Sequence, residues 1–97
     1  MKAKKSFLAL LGMMTALTLS AQTTVKGIVT DETGEPLIGA GVMVEGTTIG
    51  TITGIDGDYV LTLPENAVNL VFTFIGLADQ IVPIAGQAEI NVVLKAD

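Results

Sequence analysis

The chain has 97 residues, five lysines, no arginine, ten acids and a formal net charge of −5, which leaves room for one domain with one core. Cysteine, histidine and tryptophan are absent, so disulfides, Cys/His zinc sites, cysteine nucleophiles and Ser-His-Asp triads are excluded for lack of the necessary atoms. An acidic chain without arginine also lacks the clustered cations that phosphate contacts need, so no nucleic acid is expected as a partner.

Hydrophobic residues make up 49% of the chain, and part of that excess sits at the N-terminus. Lys2, Lys4 and Lys5 precede an uncharged run from Ser6 to Leu19, which gives way to Ser20-Ala21 and then to polar Gln22-Thr23-Thr24. The run is shorter than the roughly 20 residues that a spanning helix needs. A basic start, a short apolar stretch and a small-residue exit together read as a secretory signal peptide over residues 1–21. Cleavage is expected after Ala21, with a cut after Ser20 as the alternative because Leu19 is not ideal three residues before the first site. The competing readings are an uncleaved anchor and a buried helix; a lipoprotein anchor is excluded by the missing cysteine. The remaining domain, 22–97, keeps Lys26 and Lys95 against all ten acids, a net charge of −8. Without staples, it must stand on packing alone.

From Thr23 onward no segment carries apolar residues at helical spacing. Valine and isoleucine supply 19 residues of this part and threonine ten more, a composition suited to pleated surfaces. Strands are expected at Thr24–Thr30, Ala40–Glu45, Ile49–Thr53, Tyr59–Leu63, Asn69–Ile75, Gln80–Ile84 and Glu89–Lys95. Asp31 through Pro36 ends the first, because Asp opens a turn, Gly34 accepts positive φ and Pro36 cannot extend a ladder. Gly46-Thr47-Thr48 turns the second. Asp56-Gly57 is a strong hairpin signal, so Thr51–Thr53 and Tyr59–Leu63 are expected to pair antiparallel. Pro64-Glu65-Asn66, Gly76 and Gly86-Gln87 supply the later turns, and Pro83 marks the sixth strand as an edge or a bulge.

Seven short strands at this spacing predict an all-β, seven-stranded antiparallel two-sheet sandwich. Alternation assigns Val25, Val29, Val42, Val44, Tyr59, Leu61, Leu63, Leu70, Phe72, Phe74, Ile90, Val92 and Leu94 to the interior. Thirteen inward side chains fill a layer about 10 Å thick, so no ligand cavity is expected between the sheets.

Three motifs invite a chemical reading. Asp56-Gly57-Asp58 is a fragment of a calcium loop and lacks the full ligand spacing; turn formation is the better reading, with a weak surface calcium site at Asp56, Asp58 and Asp31 as its rival. Gly39-Ala40-Gly41 begins like a phosphate-binding fingerprint but has Val44 at the position of the last glycine and a strand, not a helix, after it. Asp31 and Glu32 form a carboxylate pair that reads as a solvated turn rather than as an acid–base couple. No catalytic, cofactor-binding or metal-binding residue is assigned, and no enzyme is expected.

Several blocks follow one another in order: Val25-Lys26-Gly27-Ile28-Val29-Thr30-Asp31, Gly34-Glu35-Pro36-Leu37-Ile38-Gly39-Ala40, Val42-Met43-Val44-Glu45-Gly46-Thr47-Thr48, Gly50-Thr51-Ile52-Thr53, Asp56-Gly57-Asp58-Tyr59, Leu70-Val71-Phe72, Phe74-Ile75-Gly76 and Asn91-Val92-Val93-Leu94. With this spacing the chain resembles the carboxypeptidase-regulatory-like domain, a transthyretin-like sandwich at the N-terminus of SusC/RagA-type TonB-dependent outer-membrane receptors. The turn at Gly34–Leu37 is expected to tuck Leu37 or Ile38 under the sandwich, and Asp56–Tyr59 to return an aromatic ring to the core. Where the family often has an acid or amide after Thr53, this chain has Gly54, which is expected to loosen that turn.

The resemblance implies a non-catalytic accessory or interaction domain of an outer-membrane nutrient-uptake receptor, exported to the periplasmic side of the outer membrane. Its implied partners are proteins: the receptor's plug and barrel, components of the TonB system, or lipoproteins. Neither a cofactor nor a small-molecule substrate is implied. A transmembrane barrel needs eight or more strands of roughly ten residues, so these 97 residues are read as a fragment of such a receptor or a stand-alone relative. The alternative is a free-standing exported structural or adhesive module.

Overall fold

The computed structural model describes residues 22–97. The segment 1–21, read above as a signal peptide, lies outside the described residues. Seven strands form: β1 (Thr23–Asp31), β2 (Gly41–Val44), β3 (Gly50–Ile52), β4 (Asp58–Leu63), β5 (Asn69–Thr73), β6 (Gln80–Pro83) and β7 (Val92–Leu94). They assemble into a three-stranded sheet ordered β4-β1-β7 and a four-stranded sheet ordered β3-β2-β5-β6. The expected two-sheet sandwich is present, and every expected strand has its counterpart.

Two features of the topology differ from the reading of the sequence. The pairing is antiparallel except between β1 and β7, which run parallel with Val29 opposite Val92 and Asp31 opposite Leu94. The crossover from β6 brings the chain back to the other sheet from the end at which β1 begins. The expected hairpin between the third and fourth strands does not form either. β3 pairs with β2, through Gly41–Ile52 and Met43–Gly50, whereas β4 pairs with β1 from Thr23–Leu63 to Ile28–Asp58. The Asp56-Gly57 turn therefore passes from one sheet to the other instead of folding β4 back on β3.

Packing against β1 explains that choice. The Gly57 carbonyl accepts the Val29 amide at 2.8 Å, its φ is +73°, and a Cβ there would lie 2.6 Å from the Val29 carbonyl oxygen. The turn is thus pressed onto β1, a place only glycine can occupy. Gly54 does not loosen it: the Gly54 amide donates to Asp58 and the Gly57 amide to Gly54, both at 2.9 Å.

The core contains twelve of the thirteen residues assigned to the interior, together with Leu37, Ala40 and Ile84. Phe74 is the exception. It is partly buried against the core because the ladder ends at Thr73, opposite Gly41, and the chain turns immediately afterwards. Of the two candidates in the first turn, Leu37 is buried and Ile38 is 59% exposed. The Tyr59 and Phe72 rings meet edge to face, with centroids 5.7 Å apart and planes at 70°, joining the two sheets across the middle of the core.

Candidate interaction surface

Of the turn residues with chemical potential, Asp31 is engaged within its own turn. Asp31 Oδ1 accepts the Thr33 hydroxyl at 2.6 Å, the Thr33 amide at 2.9 Å and the Glu35 amide at 3.1 Å. The Thr33 hydroxyl bond, helped by the amides of Glu35, Thr33 and Gly34, holds the Asp31 carboxyl below the usual carboxylate range, against desolvation in the other direction. Its carboxylate therefore serves as the cap of the β1–β2 turn. Among the described residues, no three acidic side chains lie close enough to share a metal ion; Asp56 and Asp58 flank their own turn, and Asp31 caps a different one. Gly39 bends the chain with φ of +79°, and a strand, β2, follows Gly41.

Thr53 is a structural residue that pattern reading had placed only as the end of a strand. It is the buried polar side chain of the core. Its hydroxyl donates to the Leu37 carbonyl and accepts the Ala40 amide at 2.8 Å. Its own amide donates to Ala40 at 2.9 Å, and its carbonyl accepts from Gly39 at 3.0 Å. These bonds satisfy an irregular segment that would otherwise bury unpaired backbone groups.

A second polar lock joins β4 to the segment before β7. The Tyr59 hydroxyl donates to the Ile90 carbonyl at 2.7 Å, the Ile90 amide donates to Lys26 at 2.9 Å and Lys26 to Ala88 at 3.1 Å. The ladder then breaks, and the Ile28 amide turns to the Asn91 side chain at 2.9 Å. Gly27 makes this approach possible, because a Cβ on it would stand 1.8 Å from the Ile90 oxygen. Burial, and then the negative charge of Glu89, push the Tyr59 phenol up to about 12.

With side chains turned to these internal tasks, the outside of the sandwich is its remaining resource. The outward face of the four-stranded sheet presents Met43, Ile52 and Ile81, all exposed. An open depression of about 600 Å³ lies at one end, lined by Gly39, Gly41, Thr73, Phe74 and Ile75; it is on the outer surface, not between the sheets. The opposite sheet carries Lys26, Ile28, Asp58 and Val60 around a smaller depression of about 290 Å³. Two sheet edges, β3 and β4, lie on the same side of the sandwich, joined by the Thr53–Gly57 crossing.

Comparison with known proteins agrees with the ordered blocks of the sequence. The profile of the CarboxypepD_reg-like domain matches residues 25–97. The TonB-dependent receptor SusC of Bacteroides thetaiotaomicron is 53% identical over 76 residues, covering 78% of this chain and 7% of the receptor. The TonB-dependent receptors P39 and P3 of Formosa agariphila are 39% identical over 88 residues and 35% over 92, covering 91% and 94% of this chain and 8% and 9% of the receptors. The chain thus spans less than a tenth of the length of the curated relatives it matches. A profile match over residues 25–97, together with receptors 53% and 39% identical over 76 and 88 residues, makes this chain a member of the CarboxypepD_reg-like domain family, of the kind found in SusC-type receptors.

Proposed function

We propose that residues 22–97 form a non-catalytic accessory domain of a SusC-type TonB-dependent receptor, exported with residues 1–21 removed and working on the periplasmic side of the outer membrane through contacts with protein. The observation that carries this reading is the 53% identity to SusC over 76 residues. The side-chain chemistry supports it. The polar groups of Asp31, Thr53 and Tyr59 are bonded to the chain's own backbone, which gives these three side chains structural tasks.

The test is a chimera. The matching segment of the Bacteroides SusC receptor is replaced by residues 22–97 of this chain, and uptake-dependent growth is compared with that of a receptor lacking the segment, at equal receptor levels on an immunoblot. The chimera is expected to restore growth that the deletion loses, with mass spectrometry of the exported 97-residue chain finding Gln22 at the N-terminus. A chimera that grows no better than the deletion overturns the accessory reading.

A further inference from the structure

The four sheet edges of the sandwich are not equally open. β6 carries Pro83, which has no amide to offer. Beside β7 the chain is closed by the Ala78 amide, which donates to Lys95 at 2.9 Å, and by a bridge between Leu77 and Ala96. β3 is three residues long and begins at Gly50. β4 runs for six residues without proline, and on the side away from β1 only its first carbonyl, that of Asp58, is taken, by the Gly54 amide.

The direction of its free groups follows from the ladder. Lys26 points both its amide and its carbonyl toward the segment before β7, bonding Ala88 and Ile90. Its antiparallel partner on β4 is Val60, so this is a pair without mutual hydrogen bonds. Val60 therefore points its amide and carbonyl away from β1, and Thr62, two residues on, does the same. Val60 is 66% exposed and Thr62 is exposed as well. Two successive sets of main-chain donors and acceptors thus face solvent in register, a template for one more strand.

The charges around this edge define what it accepts. Asp56 and Asp58 stand at its start and Glu65 lies just past its end, while Lys26 sits behind its centre, across from Val60. The domain as a whole carries −8, which disfavours a second copy of itself. We infer that the β4 edge is a docking site for an extended, antiparallel segment of another protein that is apolar at its centre and carries lysine or arginine at both ends. This rests on the accessory-domain reading above and assigns its contact surface.

The probe is the synthetic peptide Lys-Val-Thr-Val-Val-Thr-Lys, which in antiparallel register sets one lysine near Asp58, the other near Glu65 and an uncharged valine opposite Val60. It is titrated into isotope-labelled residues 22–97, which contain the complete core, and amide hydrogen exchange is followed. Binding should slow exchange at Val60 and Thr62, whose amides are free, and leave Tyr59 and Leu61, already bonded to β1, unchanged. Replacing both terminal lysines by glutamates should weaken binding at least about tenfold at low salt, with the difference shrinking as salt rises.

Val60→Pro removes the outward amide at a position where an edge strand tolerates proline, and should abolish protection without altering the melting curve. Val60→Lys, which keeps the amide and places a like charge before the peptide, should also weaken binding and covers the case in which the proline variant does not fold. Protection elsewhere, equal binding by both peptides, undiminished binding by these variants, or no binding overturns the inference. A receptor chimera with Val60→Pro that keeps full uptake also sinks the edge while leaving the accessory reading intact; failure of the unsubstituted chimera sinks the reading beneath it.

Discussion

Gly27→Ala is the most incisive perturbation of this fold, because it adds one methyl group at the tightest approach of the chain to itself. Gly27 has no unusual φ among the described glycines; its role is space. The new Cβ would lie 1.8 Å from the Ile90 carbonyl oxygen, 2.7 Å from its carbon and 3.0 Å from the Tyr59 ring. Ordinary contacts of this kind are about 3.5 Å, so β1 and the segment before β7 must separate by more than ~1.5 Å. That displacement breaks the Tyr59–Ile90 bond at 2.7 Å and the Ile90–Lys26 and Lys26–Ala88 bonds. Three bonds at roughly 1 kcal/mol each, with about 1–3 kcal/mol of overpacking, give a loss of about 4–6 kcal/mol. A domain of this size has about 4–11 kcal/mol in total, so the variant should lose at least about a third of its stability, with a matching fall in the urea midpoint. Gly34→Ala is the control. Gly34 has φ of +88° and nothing within 4 Å of its Cβ position, so it should cost only the ~1–2 kcal/mol of a left-handed alanine. Urea unfolding followed by near-ultraviolet circular dichroism ranks the two. Equal midpoints for Gly27→Ala and wild type, or a larger loss at Gly34, would refute the packing argument.

Thr53→Val keeps the side-chain shape but strands the Ala40 amide and the Leu37 carbonyl; at about 1–3 kcal/mol for each unsatisfied group it should cost about 2–6 kcal/mol in urea titration, while Thr53→Ser should lose less. The Tyr59 phenol, held up at about 12 by burial and then by Glu89, is compared with an unfolded value near 10. The unfolded chain releases that proton first, so its contribution is complete below about pH 10 and is lost as pH rises toward 12. Tyr59→Phe should be less stable at neutral pH, and its melting temperature should fall less steeply across that alkaline window.

Alternation of apolar residues was enough to locate the strands and nearly all of the core, because inward and outward positions differ sharply in β1, β4 and β5. It overstated the burial of Phe74, which is only partly buried against the core, since nothing local says where β2 ceases to accompany β5. The partner of each strand was less legible. Asp56-Gly57 is a turn in either topology, and what sends the chain across the sandwich is contact with Val29, 28 residues earlier, which no local pattern contains. Thr53 was hidden for a related reason: threonine is common on strands, and its role depends on the irregular segment from Leu37 to Ala40 folding against it. Gly27 could have been found, being a glycine in the middle of an otherwise β-forming strand, where close approach of another backbone is the usual cause.

The distribution of hydrogen bonds also favours main chain over side chains as the contact surface proposed above. Asp31 caps a turn, Thr47 closes the β2–β3 connection onto Val44, Thr53 holds the Leu37–Ala40 segment, Tyr59 and Asn91 take up the broken ladder beside β1, and Gln87 binds the carbonyls of Pro83 and Ile84. Among the described residues no buried side-chain polar atom lacks a partner. Polar side chains that close turns and seams are not free to define a ligand, and a domain that must hold without disulfides cannot release them cheaply. What remains in ordered array is main chain, at the edge of β4. Recognition through main chain alone would accept any extended peptide, so discrimination has to come from its flanks, where Asp56, Asp58 and Glu65 surround a centre backed by Lys26. Selectivity at that edge should therefore follow ionic strength while the strand pairing itself does not, a separation that salt titration of peptide binding measures directly.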